Sequence, residues 1–237
     1  MTEQRKKDLI GFARKIGVEF KDLTRLNIAL THTSYANEKE PPPMHNERLE
    51  FLGDAVLELA TSTYLYANFP EMPEGELTKT RAGIVCAATL SKIATKLGFG
   101  EMLLLSRGEE QCGGRTRISN LEDAFEAVIG AVYEDRGWDA AREYVYTHLK
   151  NEFAAVKFGN YIHDYKSYLQ EVVQRQPNRK IDYKLVGEHG PDHEKIFDVV
   201  VLIDGKDFGK GSGHSKKEAE QHAAKVALSA MQEKGLE

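Results

Sequence analysis

Apolar residues recur every three or four positions along the chain as far as residue 155. This spacing places them on one side of an α-helix, so it predicts amphipathic helices rather than strands. The predicted helices cover residues 3–16, 22–30, 45–67, 75–97, 99–104, 118–136 and 138–153. Residues 1–154 are therefore predicted to form an all-α domain.

Two segments of this region lack the helical pattern. Residues 38–43 include three consecutive prolines, which predict an exposed loop without regular structure. Residues 106–117 contain three glycines and end in a basic stretch, so we expect a mobile loop there.

The pattern changes near residue 155. Residues 155–162 show no clear period and are predicted to be a linker. The pattern then predicts a helix over residues 165–174, with Asp164 as its N-cap. Strands are predicted over residues 181–188, 195–203 and 206–211, with a turn at Asp204-Gly205 between the last two. A last helix begins with the capping box Ser215-Lys216-Lys217-Glu218. Residues 163–235 are thus predicted to be an α+β domain of the order α-β-β-β-α.

Composition bounds the class of protein. The 237 residues suffice for two domains, and a hydrophobic content of 41% is ordinary for a globular chain. We find neither a run of roughly 20 apolar residues nor a secretory leader, so we expect no membrane association. Cys86 and Cys112 lack the spacing of a metal or redox motif, which favours reduced thiols and a cytoplasmic location.

The net charge of −5 is unusual for a nucleic-acid-binding protein. If the chain binds a polyanion, the contact must depend on local basic patches and on helix N-termini.

Four carboxylates form two pairs at helical spacing. Glu50 and Asp54 are four positions apart, and Asp123 and Glu126 are three apart, so each pair lies on one helical face. Glu47 and Glu58 lie on the same helical face as the first pair. The opposite face of that helix, which we expect to face the core, carries Leu49, Leu52, Val56 and Leu59. The face opposite the second pair carries Leu121, Phe125, Val128 and Val132. Ala127 and Gly130 beside the second pair would let another helix approach closely, so the two acidic faces can meet.

A single acidic residue of this kind usually marks a solvated helix face. Two pairs on helices that are otherwise made to be buried are better explained by a bound cation, because close carboxylates repel one another and lose hydration. An oxygen-only set suits a hard divalent ion, and Mg²⁺ above all.

Phe51 lies beside the acidic side of its helix, away from the predicted core stripe. A self-complementary contact between two copies of the chain would bury this ring. The alternative is that Phe51 packs on a neighbouring helix of its own chain.

The segment from Asn46 to Leu57 closely resembles the signature motif of the bacterial ribonuclease III family. Residues 123–127, Asp-Ala-Phe-Glu-Ala, resemble the second acidic motif of that family. Further matches are Asn120, Glu74-Gly75-Glu76-Leu77 and Thr31-His32-Thr33-Ser34. The resemblance extends over essentially the whole chain and includes the C-terminal region.

The resemblance implies an endoribonuclease that hydrolyses double-stranded RNA as a homodimer. It implies that Glu50, Asp54, Asp123 and Glu126 bind catalytic Mg²⁺, with Mn²⁺ as a substitute ion and with no organic cofactor. It also implies secondary roles for Glu47 and Glu74, and a Phe51 ring that inserts into the partner subunit. The expected products carry 5′-phosphate and 3′-hydroxyl ends with a short 3′ overhang, and the expected substrates are ribosomal RNA precursors and structured messenger RNAs.

The chemistry of phosphodiester hydrolysis agrees with these roles. Bound metal ions lower the pKa of water and neutralise charge on the departing oxygen. We expect Glu50, Asp123 and Glu126 to be metal ligands, whereas Asp54 is either a ligand or the group that positions the attacking water. The sequence leaves open whether one metal ion or two take part.

The C-terminal region resembles a double-stranded RNA-binding domain. The residues that carry this resemblance are Ser167, Gln170, Glu171 and Gln174 on the first helix, Pro191 and His193 in the loop between the first two strands, and His214, Ser215, Lys216 and Lys217 at the start of the last helix. Such residues would read duplex shape through 2′-hydroxyls and phosphates. Glu220 and Gln221 depart from the pattern, because many such domains have another lysine there, so we expect modest affinity.

A non-catalytic regulator that binds duplex RNA is the alternative function. The two carboxylate pairs distinguish the alternatives, because a protein that only binds RNA has no need of them. Their presence favours the nuclease.

Overall fold

The structure is a computed structural model that describes residues 1–157, 165–176, 179–191 and 195–233. The side chains of Lys157, Glu171, Gln232 and Glu233 are outside this description. The chain divides into two compact units, Met1–Tyr161 and Ile162–Glu237. Asp164, His193 and most of the predicted linker lie outside the described residues, so the predictions made for them remain predictions.

The first unit is helical throughout. Its helices are α1 (Glu3–Lys15), α2 (Leu23–Ala29), α3 (Thr33–Asn37), α4 (Glu47–Asn68), α5 (Glu74–Ile84), α6 (Ala87–Leu97), α7 (Phe99–Met102), α8 (Arg107–Gln111), α9 (Ile118–Arg136), α10 (Trp138–His148) and α11 (Lys150–Lys157). A 3-10 turn over Gly114–Thr116 separates α8 from α9. The predicted all-α domain is confirmed, and the proline-containing loop of residues 38–43 is exposed as predicted.

Several predicted boundaries are wrong. The helix predicted over residues 75–97 is two helices, α5 and α6, because the backbone turns to an extended conformation at Cys86. The break allows α6 to turn and pack against α9. Residues 138–153 likewise divide into α10 and α11, and α11 continues to Lys157, past the start of the predicted linker.

The segment predicted as a mobile loop, residues 106–117, contains α8 and the 3-10 turn. Arg115 fastens this segment to α7, since it donates to the carbonyl oxygens of Gly100 at 2.8 Å and Leu103 at 2.9 Å. Ser106 caps α8 by accepting from the backbone N–H of Glu109. The glycines in this segment therefore permit tight turns in an ordered path.

Helix α9 is the central helix of the first unit. All its side chains from Ala124 to Val132 are buried, and it packs against α2, α4, α6 and α10. Phe125 stands at its middle, with ring centroids 5.7 Å from Phe99 and 5.9 Å from Tyr144. None of the described helices is long and apolar enough to span a membrane.

Helices α4 and α9 touch backbone to backbone at two glycines. A Cβ atom added to Gly53 would lie 1.8 Å from the carbonyl oxygen of Glu126, and one added to Gly130 would lie 2.2 Å from that of Leu49. No side chain larger than hydrogen fits at such a crossing. The expectation that Gly130 permits a close helix contact is confirmed, and Gly53 is its counterpart on α4.

The predicted core-facing side of α4 is partly wrong. Leu59 is 56% exposed, whereas Leu57 and Ala60 are fully buried, so the buried stripe is rotated from the predicted one. The rotation follows from the crossing with α9, because Gly53 must face that helix.

The second unit has the predicted α-β-β-β-α order. Its described elements are α12 (Tyr165–Gln174), β1 (Ile181–His189), β2 (Ile196–Ile203), β3 (Lys206–Gly213) and α13 (Lys216–Glu233). The strands form an antiparallel sheet in the order β1-β2-β3, with Asp204 and Gly205 at positive φ in the turn between β2 and β3. One core joins Leu169 and Val173 of α12, alternate residues of β2, and the alanine face of α13.

Replacing Gly53 by alanine tests whether the α4–α9 crossing determines stability. Gly53→Ala should lower the free energy of unfolding by about 2–4 kcal/mol, because the added methyl group forces the two helices apart. Gly11→Ala is the matched control, since Gly11 lies in the exposed side of α1 with open space around it. Alanine there should stabilise by roughly 0.5–1 kcal/mol. Urea unfolding of both variants measures the difference, and equal stabilities would contradict the close crossing.

Candidate functional site

The crossing of α4 and α9 brings the two predicted acid pairs together. Glu50 lies one turn before Gly53 on α4, and Asp54 follows it directly. On the facing helix, the carbonyl oxygen that contacts Gly53 belongs to Glu126 itself. The carboxylates of the two helices therefore lie in one cluster, which the sequence predicted.

Glu126 is the most buried member of the cluster, with 8% of its surface exposed. Burial raises the pKa of its carboxyl to about 8, and the charges of Asp54, Glu122 and Glu50 add to the rise. A helical wheel placed Glu126 opposite the core, but α9 is enclosed on almost all sides along this stretch. A carboxylate in this position loses hydration and gains repulsion at the same time.

The pKa values of the neighbouring carboxyl groups are raised as well. Burial raises the pKa of Glu50, and Asp123, Glu47, Glu122 and Asp54 raise it further, in that order. Burial also raises the pKa of Asp123, while the nearby ring of His32 opposes the rise. The cluster is thus larger than the four predicted members.

Glu122 is a member of this cluster that the sequence did not single out. Burial raises the pKa of its carboxyl, and the charges of Asp123 and Asp54 contribute. Its position next to Asp123 on α9 was visible in the sequence. Only the approach of α4, however, makes it part of the same electrostatic group.

Among the residues that the structure describes, lysine and arginine do not neutralise the four predicted carboxylates of the cluster. Within the described part of the chain, none of Glu50, Asp54, Asp123 and Glu126 forms an ion pair with lysine or arginine. Oxygen donors that repel one another and are only partly hydrated suit a hard divalent cation. Among the described residues, no three ligating side chains already converge on one point, so side-chain rotation would have to complete a coordination sphere.

Glu47 and Glu74, the two predicted secondary residues, lie in different places. Glu47 begins α4, next to the cluster, and its carboxylate is 3.8 Å from the ring of His45. Glu74 begins α5 and accepts a hydrogen bond from Thr78 at 3.1 Å. Helix α5 packs on α4, where Arg81 contacts Ser62 and Glu58, rather than at the end that carries Glu50. The predicted role of Glu74 stays a prediction.

A second polar group lies at the start of α9. The buried side chain of Asn120 donates to Glu109 at 2.8 Å and to the carbonyl oxygen of Gly114 at 3.0 Å. Arg117 donates to the same Glu109 oxygen at 2.6 Å. The hydrogen bond from Asn120 lowers the pKa of Glu109, and the charges of Arg117 and His32 support this. The segment before α9 is thereby held against the helix that carries Asp123.

In the second unit, three residues of the predicted polar stripe of α12 face solvent. Ser167, Gln170 and Gln174 are exposed, while Leu169, Val172 and Val173 fill the core on the opposite side. Pro191, which follows β1 by two residues, is exposed as well. The predicted role of the stripe in RNA binding stays a prediction.

The start of α13 presents the predicted basic residues. Ser215 caps the helix by accepting from the N–H of Glu218, and Glu218 accepts from the N–H of His214. His214, Lys216 and Lys217 are exposed there. The two ammonium groups and the free N–H groups of a helix N-terminus form a favourable position for phosphate.

The structure explains why Glu220 departs from the residue pattern of double-stranded RNA-binding domains. Glu220 forms an ion pair with Lys166 of α12 at 2.6 Å, and the neighbouring Gln221 accepts from the backbone N–H of Lys166 at 3.1 Å. These residues join the beginnings of α12 and α13. They therefore serve the packing of the unit at a position where the family pattern often has a phosphate-binding lysine.

An exposed apolar face runs along α4. Phe51 is 82% exposed, Leu59 is 56% exposed and Tyr66 is 80% exposed, and their spacing keeps them on one side of the helix. The alternative in which Phe51 packs within its own unit is wrong. Large exposed apolar groups on one side of a helix are typical of association surfaces.

Comparison with known families agrees with both units. Residues 22–153 match the family described as Ribonuclease-III-like, and residues 165–231 match the Double-stranded RNA binding motif. The two matches define a ribonuclease domain joined to a domain that binds double-stranded RNA.

Whole-chain relatives narrow the class further. The chain is 49% identical over 230 residues to Ribonuclease 3 of Geobacillus kaustophilus, a match that covers 95% of this chain and 92% of the relative. It is 48% identical over 240 residues to Ribonuclease 3 of Geobacillus sp. strain WCH70, covering 100% of this chain and 96% of that one. The chain belongs to the ribonuclease III family, the endoribonucleases that act on double-stranded RNA.

A solved structure shows the same nuclease fold. The nuclease domain of ribonuclease III from Campylobacter jejuni is 39% identical, with a TM-score of 0.57, and the match covers 62% of this chain and 97% of that one. Both the predicted membership of the family and the predicted fold class are confirmed.

The raised pKa of Glu126 predicts how stability depends on pH. Its folded-state pKa of about 8 exceeds the ordinary value of 4.5, so the folded state retains a proton that the unfolded state releases. In buffer with a chelator, stability should fall as pH rises from about 4.5 to about 8. Glu126→Gln should remove the part of this loss that Glu126 causes and gain roughly 1–3 kcal/mol at pH 8 over wild type. Glu143→Gln, at an exposed position on α10, serves as the control in urea unfolding, and equal slopes for all three proteins would contradict the shift.

Proposed function

We propose that the chain hydrolyses phosphodiester bonds of double-stranded RNA with Mg²⁺ held by Glu50, Asp54, Asp123 and Glu126. The observation that carries this proposal is the close crossing of α4 and α9, which gathers these carboxylates around a buried Glu126 with a pKa of about 8. A bound divalent cation would displace the proton and relieve the repulsion. Mn²⁺ is expected to substitute, because it accepts the same oxygen ligands.

Differences in burial support a division of roles among the four residues. Glu50, Asp123 and Glu126 are partly or largely buried and would hold the ion, whereas the exposed Asp54 would either hold it or orient the attacking water. When bound, the ion supplies a water of lowered pKa and neutralises charge on the departing oxygen. Water attack would leave 5′-phosphate and 3′-hydroxyl ends. Glu47, which begins α4 beside the cluster, and Glu74 are proposed to have secondary roles in the reaction.

The second unit is proposed to hold the duplex. Ser167, Gln170 and Gln174, with Glu171 beside them, would contact 2′-hydroxyls in a minor groove, and Lys216 and Lys217 would contact phosphates. The loop of Pro191 and His193 would reach a second minor groove. Because these contacts read shape rather than bases, we expect binding with little sequence preference and strong dependence on salt.

Two copies of the chain are proposed to assemble through the exposed face of α4. Burial of Phe51, Leu59 and Tyr66 against a second copy would remove a large apolar surface from water. A two-fold axis would place one carboxylate cluster opposite each strand of a duplex. Staggered cleavage of the two strands would then leave a short 3′ overhang.

Precursors of ribosomal RNA and structured messenger RNAs are the proposed substrates, and the cytoplasm is the proposed location. Their support is the membership of the family and the absence of a described disulfide, since Cys86 and Cys112 are both free.

Glu126→Gln tests the catalytic proposal. The variant keeps the shape of the side chain but removes a charged ligand, so cleavage of a perfect duplex in Mg²⁺ should fall by at least about 1000-fold. Binding of the same duplex in Ca²⁺ should stay within about twofold of wild type. Glu143→Gln is the control and should cleave normally. Turnover at the wild-type rate by Glu126→Gln would remove Glu126 from the proposed set.

Phe51→Asp tests the assembly. A carboxylate at the centre of an apolar contact should weaken self-association at least tenfold, because the charge would be desolvated. Val226→Asp is the matched control, since Val226 is an exposed apolar residue of the second unit. Sedimentation equilibrium of both variants measures the effect. An unchanged dimer for Phe51→Asp, or monomeric wild type, would refute the proposed interface.

A further inference from the structure

Hydrogen bonds of His32 and its neighbour Thr31 join this part of the chain to the segments that lead into α4 and α8. The backbone N–H of His32 donates to the carbonyl oxygen of Leu104 at 3.0 Å, and the preceding Thr31 accepts from the N–H of Asn46 at 2.9 Å. Asn46 is the N-cap of α4, and Leu104 leads into α8. The position of His32 is thus tied to the beginnings of both helices.

The orientation of the His32 ring is also determined. Nδ1 accepts from the backbone N–H of Ser34 at 3.2 Å and lies 2.8 Å from the Ser34 hydroxyl oxygen. That hydroxyl accepts in turn from the N–H of Ser106 at 3.1 Å, so its own hydrogen is free to point at Nδ1. With Nδ1 as an acceptor, the neutral ring carries its hydrogen on Nε2.

Nε2–H is a donor in either charge state of the ring, because protonation adds a hydrogen at Nδ1 and leaves Nε2 unchanged. Among the described residues, no group accepts from it. Capping of α3 by Nδ1 explains one nitrogen of the imidazole. It does not explain why the other nitrogen is left with an unused donor beside the acidic cluster.

The surroundings of the ring favour an external acceptor. The ring is close enough to Asp123 and Glu109 to lower the pKa of each. Glu109 already accepts from Asn120 and Arg117, and no hydrogen bond joins His32 to Asp123. His32 is half-buried rather than enclosed, so its free edge can be reached by a ligand.

We propose that His32 is a substrate-contacting residue whose Nε2–H donates to a phosphate oxygen of the RNA strand lying beside Asp123. A strand that approaches this cluster meets repulsion from its carboxylates, and a fixed donor next to them would offset part of it. The proposal rests on the proposed function, because it places the scissile strand at the crossing of α4 and α9.

Two substitutions test the roles of the two ring nitrogens separately. His32→Asn keeps a short acceptor that can cap α3 but removes the Nε2 donor. His32→Gln places an amide N–H near the position of Nε2 but loses the cap. Binding of a duplex in Ca²⁺, KM and kcat for cleavage in Mg²⁺, and the thermal midpoint would be measured for each variant.

We expect His32→Asn to keep the wild-type thermal midpoint while KM and the Kd in Ca²⁺ rise about tenfold, the effect of losing one hydrogen bond to a charged group. His32→Gln should bind RNA within about threefold of wild type even if its midpoint falls. If His32 served only to cap α3, His32→Asn would bind RNA like wild type and His32→Gln would bind it more weakly. That result would overturn the proposal.

Calorimetric titration with Mg²⁺ alone tests whether His32 instead affects metal binding through Asp123. If His32→Asn binds RNA normally but binds Mg²⁺ more weakly, His32 acts through Asp123 and the phosphate contact is wrong. Glu126→Gln, measured beside it, separates the two proposals. Loss of cleavage in Glu126→Gln with unchanged behaviour of His32→Asn would refute only the role of His32. Normal cleavage by Glu126→Gln would remove Glu126 from the proposed set, and a wild-type chain that does not cleave duplex RNA in Mg²⁺ would refute the proposed function.

Discussion

The contact between the backbones of α4 and α9 at Gly53 and Gly130 is the constraint on which the first unit depends. Each glycine faces a carbonyl oxygen of the other helix, so the distance between the helices is set by backbone atoms. This distance decides that Glu50 and Asp54 share one environment with Asp123 and Glu126. It also turns α4 so that Phe51 and Tyr66 face outward, which links the geometry of the acidic cluster to the exposed apolar face.

The acidic cluster destabilises the folded state of the unit that contains it. Burial of Glu126 among other carboxylates costs free energy whenever the group is ionised, and the surrounding apolar packing of α9 must offset this cost. Strain of this kind is common at functional sites, where groups are held in positions that stability alone would not select. The buried aromatic contacts of Phe125 lie on the same helix and supply part of the compensation.

The second unit shows a different balance between packing and binding. Its net charge is not basic, and the pairing of Lys166 with Glu220 removes one positive charge from the solvent-facing surface. Exposed groups at the start of α13 and the polar stripe of α12 are the proposed contacts for a polyanion. Contacts at a few defined places suit the recognition of duplex shape better than tight, unspecific attraction.

Helical periodicity and turn residues were enough to predict the fold class and the α-β-β-β-α order of the second unit, because each is a local pattern with a local physical cause. The spacing of the two acid pairs likewise predicted which carboxylates share a helical face. The sequence did not reveal the break at Cys86, the exposure of Leu59 or the burial of Glu126, since each depends on which helix lies opposite. Nor did it reveal the charge of Glu122 as part of the cluster, or the free nitrogen of His32. Tertiary structure decided these features, because the pKa of a carboxyl and the partner of a ring nitrogen are set by neighbours that are distant in the chain.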